Sequence, residues 1–281
     1  RLVGLLFFAK RYNDSYDLAS QILAEEPDNH YMQRLQFYNK KALEEKDAAK
    51  AAAEKLFANP TAQLNSQDYI QHGELLQDMG SDTLAVEMYE KAVAVSPEKT
   101  SLLKDLSAAY SSAKMYDKAA DTMAKYIDSE GENADPNDML SLANRYKNLA
   151  IANLDTDSVA SAAAAAKALQ TIDKVIARIS DNPMVLNTKS DILRIAARGA
   201  VTPDVVAADE TTLAVLDADP SNATNERRIP IYRAVLGRLG NYYLTTAKDV
   251  DKAKVYFQKF YEVSPSDDLK AFIDGLDANA K

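Results

Sequence analysis

The sequence predicts an all-α fold, a right-handed α-α superhelix (solenoid) of stacked antiparallel helix pairs, and three observations predict it. Apolar residues recur at helical spacing with a period close to 34 residues, so that Ala85 and Ala119 hold the same place in consecutive blocks. Small residues fall where the two helices of a pair must touch. A turn residue or a proline ends each helix at a set length. A repeat of this size means helix pairs that pack on their neighbours and not around one deep core.

Taken in order, the chain opens inside a repeat, with Gly4, Phe7, Ala19 and Pro27 reading as a pair that lacks its first residues. The run Leu2–Phe8 is too short for a membrane span and reads as that pair's packing face. The block Asn29–Ala62 carries Met32, Leu35, Ala48, Ala52 and Pro60, with Gln36 where a small residue is expected. Ser66–Lys99 is complete. Tyr69, His72, Gly73 and Leu76 form one stripe, Gly80 the turn, Ala85, Tyr89 and Ala92 a second stripe, and Pro97 the stop. Gly73 and Ala85 are expected to let the two backbones approach. Leu103, Leu106, Ser107 and Tyr110, then Ala119 and Met123, repeat the frame.

After Gly131 the pattern loosens. Met139, Leu142, Ala143 and Tyr146 mark a first helix, and its partner is displaced past Asp155–Ser158. The alanine run Ala162–Ala166, followed by Ala168, Ile172 and Val175, predicts a long second helix ending before Asn182-Pro183. Ile192, Ile195 and Ala196 lead to a stop at Gly199, a helix start at Thr202-Pro203, and Ala208, Val215 and Pro220. Leu236, Leu239, Gly240 and Tyr243, then Ala253, Phe257, Phe260 and Pro265, restore the regular frame. Ser266–Leu276 reads as a short capping helix with an acidic side. The expected boundaries are a partial pair at 1–28, regular repeats at 29–133, elongated irregular pairs at 134–222, a regular repeat at 223–265 and a cap at 266–281.

The two best blocks resemble the tetratricopeptide repeat family, whose consensus runs aromatic-x2-Leu-Gly-x2-Tyr, Ala-x3-Phe-x2-Ala, Pro. The resemblance implies a binding groove lined by the first helix of each pair. It also implies that Gln33, Phe37, Lys104, Asn144, Lys147, Arg194, Arg238 and Asn241 face that groove, in a mix of charge and amide suited to a peptide backbone. One subclass grips acidic chaperone tails with a Lys-x3-Asn, Asn, Lys-x3-Arg set. Here the corresponding positions hold Ile70, Glu74 and Asp105, so that set is absent.

Composition narrows the function. A net charge of −9 and a pI near 4.9 oppose nucleic-acid binding, which needs a basic surface. Without cysteine there is neither disulfide nor thiolate chemistry. The two histidines, His30 and His72, fit no metal-binding spacing, and no phosphate loop or nucleophile motif occurs. The expectation is a non-catalytic scaffold that binds a peptide or protein segment, with no cofactor, no metal and no membrane insertion in this segment. The alternative is a solute- or glycan-binding component of an exported bacterial system, which a discrete apolar pocket at Phe37 or Tyr242 would favour. Six of the eleven arginines fall between Arg194 and Arg238. They read either as surface ion pairs, such as Asp191 with Arg194, or as a guanidinium pair for a carboxylate-bearing partner.

Overall fold

The computed structural model describes residues 1–278, which form fifteen α-helices, two 3-10 turns and no strand. The chain divides into two compact units, Arg1–Ser129 and Glu130–Lys281. The first holds α1 (Leu2–Phe8), α2 (Tyr12–Glu25), α3 (His30–Ala42), α4 (Lys46–Ala58), α5 (Ser66–Asp78), α6 (Asp82–Val95), α7 (Leu102–Ser112) and nearly all of α8 (Tyr116–Glu130). The second holds α9 (Pro136–Asn153), α10 (Ser158–Arg178), α11 (Pro183–Ala196), α12 (Pro203–Asp217), α13 (Ile229–Thr245), α14 (Val250–Val263) and α15 (Asp267–Ala278). The tail of the expected cap, 279–281, lies outside the described residues.

Helix starts follow side-chain chemistry. Asn29, Asp157 and Asp249 cap α3, α10 and α14 by accepting backbone N–H bonds, and Asn65 with Asp68 forms a capping box on α5. Asp135, Asn182 and Thr202 cap helices whose first residue is proline, where no N–H is needed. α9 and α10 run for 18 and 21 residues. Ala150 of α9 meets Ala164 and Ala165 of α10, and the Ser161 hydroxyl donates to the Ala150 carbonyl at 2.8 Å, so small side chains hold this long pair together.

The turns inside the four pairs from α1–α2 to α7–α8 share one geometry. Lys10, Glu44, Gly80 and Lys114 all take positive φ, at 58°, 60°, 74° and 60°. The next amide in each case closes back on the carbonyl five residues earlier, as Ser81 does to Leu76 at 2.8 Å and Met115 to Tyr110 at 2.8 Å. Only one of the four is glycine, although the left-handed region costs other residues about 1–2 kcal/mol. Gly80→Ala is therefore expected to lower stability by about 1 kcal/mol and Lys114→Gly to raise it by a similar amount. An added Cβ at Gly80 meets nothing within 4 Å, so urea titration reads the backbone effect alone.

Inside the pairs, Ala85 and Ala119 are fully buried as expected, and the Ser107 hydroxyl donates to the Ala119 carbonyl at 2.7 Å. Gly73 does not work by bringing backbones together. A Cβ there would lie 2.9 Å from the Tyr89 ring, and one at Gly240 would lie 2.7 Å from the Phe257 ring, so these glycines make room for an aromatic side chain of the second helix. In the block at 29–62 the fully buried alanine of α4 nearest the expected position is Ala49, not Ala48. The expected packing face of α1 is also corrected: Val3 is buried, whereas Leu2, Leu5 and Phe8 are 60%, 61% and 83% exposed.

Candidate functional site

Two arginines, Arg34 beside the expected groove residue Gln33 and Arg238 of the expected groove, are engaged by buried carboxylates. Nε of Arg34 donates to one oxygen of Asp68 at 2.6 Å and Nη2 to the other at 2.8 Å, while the Tyr38 hydroxyl adds a bond at 2.8 Å. The hydrogen bond to Asp68 raises the pKa of Arg34 above its usual value despite burial. In the second unit Arg238 donates to both oxygens of fully buried Asp209, at 2.8 and 2.7 Å, to Asn187 at 2.7 Å and to Asp191 at 3.2 Å. Ser190 donates to the same Asp209. Arg238, expected to face a partner, is thus a clamp joining α11, α12 and α13. Asp191 does form an ion pair, but with Arg238 and not with Arg194.

Phe37 is corrected outright: it is fully buried and packs with Ala49, Ala52, Ala53 and Leu56. The helix caps explain the error. Asn29 and Asn65 are equivalent and lie 36 residues apart, so Phe37 aligns with Gly73 on the inside of its pair. In that pair the first helix carries the large side chain and the second the small ones. Tyr242 packs in the core cluster of α13 at 5.3 Å edge-to-face with Tyr243, so neither aromatic marks a discrete pocket of the kind a solute binder would need. Gln33 donates to the Pro27 carbonyl and accepts from Asn59, which ties down the loops around α3. The Lys104 ammonium sits 5.3 Å from the centre of the Tyr126 ring. Asn241 is exposed on α13.

The structure does bring two expected residues together. Lys147 of α9 and Arg194 of α11 line one recess of about 330 Å³, together with the apolar Ile151, Leu154 and Ile195 and with Asp191 and Gly199. Among the described residues neither cation has a hydrogen bond or ion pair, in contrast to Arg34 and Arg238. Asn144 lies one turn before Lys147 on α9 and is half-buried. Both helices are the first members of their pairs. The acids Asp68 and Asp209, which decide which arginines are free, were not among the expected site residues.

His72 sits between the rings of Phe57 and Phe37, at 4.7 and 6.1 Å, and its Nδ1 is buried without a partner. Burial lowers its pKa from 6.5, against a smaller raising effect of Glu54, while Lys91 and Lys50 add to the lowering. The folded state therefore resists a proton that the unfolded chain accepts. The stability due to neutral His72 is full above pH 6.5 and falls as the pH drops through and below that value. Urea midpoints are expected to fall from pH 7 to pH 5.5 in the parent protein and to fall less in His72→Leu.

No group of three potential metal ligands occurs among the described residues, and none of their helices is long and apolar enough to cross a membrane. Residues 69–99 match the model of the tetratricopeptide repeat. The C-terminal part of a tetratricopeptide repeat protein from Cytophaga hutchinsonii is similar over 98% of both chains, with a TM-score of 0.74 and 18% identity. A tetratricopeptide repeat protein from Parabacteroides merdae covers 98% of this chain with 95% of its own, at a TM-score of 0.54 and 12% identity. None of the curated proteins matches in sequence. The chain is all-helical, carries a tetratricopeptide repeat at 69–99, and has the fold of tetratricopeptide repeat proteins along its length.

Proposed function

We propose that this chain is a non-catalytic scaffold that binds a peptide or protein segment, and that the recess between α9 and α11 receives a carboxylate of that segment. The observation that carries this reading is the pair of cations, Lys147 and Arg194, facing one recess with no hydrogen bond or ion pair among the described residues. Arginine offers two parallel donors to a carboxylate and lysine adds a point charge. Ile151, Leu154 and Ile195 then shelter the pair from water and accept a neighbouring apolar side chain. Asn144 and the exposed Asn241 supply amides for a peptide backbone on the same set of first helices.

The test is fluorescence anisotropy with labelled acidic peptides. Lys147→Ala with Arg194→Ala is expected to weaken binding by about tenfold or more and to flatten its salt dependence. Helix content should not change, because neither side chain makes a hydrogen bond or ion pair among the described residues. Binding as tight in the double variant as in the parent would refute the proposal. Arg238→Ala is unsuitable as a probe, since that residue holds the unit together.

A further inference from the structure

A second recess lies on another side of α11, between α10 and α12, and has a volume of about 490 Å³. Its lining runs along three helices at helical spacing: Leu169, Asp173 and Ile176 on α10, Leu186, Lys189 and Leu193 on α11, and Asp204, Ala207, Ala208 and Thr211 on α12. Each set runs from i to i+7, a rise of about 10 Å and two helical turns. One wall is large and apolar and the facing wall is small, so the slot admits side chains projecting from a ridge and lets its backbone come near α12. The charges on the rim do not balance. Lys189 is bound to Asp173 at 2.8 Å, whereas Asp204 has no side-chain partner among the described residues.

We propose that this slot docks an amphipathic helix of a partner protein, one whose apolar residues at i, i+3 or i+4 and i+7 fill the space above Leu186 and Leu193 and whose flanking lysine or arginine meets Asp204. The two-turn length of all three walls fits a helix lying along them, and Asp204, which has no ion-pair partner among the described residues although the N-terminus of α12 compensates part of its charge, selects the sign of its flank. This surface is separate from the α9–α11 recess and stands whether or not that recess binds a carboxylate.

Synthetic fluorescent helices of about four turns, with a leucine stripe at that spacing and flanked by lysine or by glutamate, test it on the whole chain. Lysine-flanked helices should bind saturably and about tenfold more tightly than glutamate-flanked ones. Asp204→Asn should erase that preference. Ala208→Leu fills the slot and should weaken binding about tenfold. Ala207→Leu, at an exposed position, gives a second obstruction that does not depend on how Ala208→Leu folds. Arg194→Ala should leave affinity unchanged. Failure of every striped helix to bind, equal binding of the two flank types, indifference to both leucine substitutions, or loss of binding in Arg194→Ala would each overturn the proposal.

Discussion

Replacing Arg238 by Ala is expected to lower stability by about 3–5 kcal/mol, because it leaves Asp209 fully buried with its charge answered only by the Ser190 hydroxyl. Asp209→Ala should also cost stability, since it removes two of the four hydrogen bonds of a guanidinium that is 12% exposed, although Asn187 and Asp191 remain as partners. Arg238→Met combined with Asp209→Leu removes both charges and should be less destabilised than either single alanine variant. Urea unfolding of the four proteins makes the comparison. Small losses for both single changes would mean that water reaches the pair, and Arg238 would again be a candidate for partner binding.

The clamp shows what was legible in the sequence. The helices, their caps and the 34-residue frame could be read because each is local: a cap and its stripe lie within a few residues of one another. Asp209 belongs to the buried stripe of Val205, Thr212 and Leu216, and a carboxylate on an apolar stripe demands a cation. That signal points to a buried pair without saying which of several arginines completes it. Arg238 comes from another helix 29 residues on, and Asp191 approaches it from 47 residues away. Lys147 and Arg194 could be assigned to first helices of their pairs, but their freedom from ion pairs became evident only once the acids had been located. Phe37 differs for a simpler reason: a frame that begins at Asn29 counts the cap as a helix residue, whereas Ser66 follows its cap Asn65, and this offset of one residue turns an inner position into an apparent groove position.

Phe257→Ala is expected to cost about 3–5 kcal/mol. Its ring fills the space beside Gly240 and meets Phe272 edge-to-face at 5.1 Å, so the change leaves a cavity between α13 and α14 and loosens α15. Hydrogen exchange in α15 should rise more than in α11, because the lost ring touches the former. Gly240→Ala attacks the same contact from the other side: its methyl would meet the ring at 2.7 Å and cost about 1–3 kcal/mol. Combining Gly240→Ala with Phe257→Leu should then be less harmful than the sum of the single changes, as the methyl occupies room the smaller side chain vacates. Additive losses would mean that the glycine is required for its backbone and not for the space it leaves. The block at 29–62 argues against that outcome, since it reverses the sizes, with Phe37 on the first helix and Ala53 on the second, and keeps the same stack of pairs.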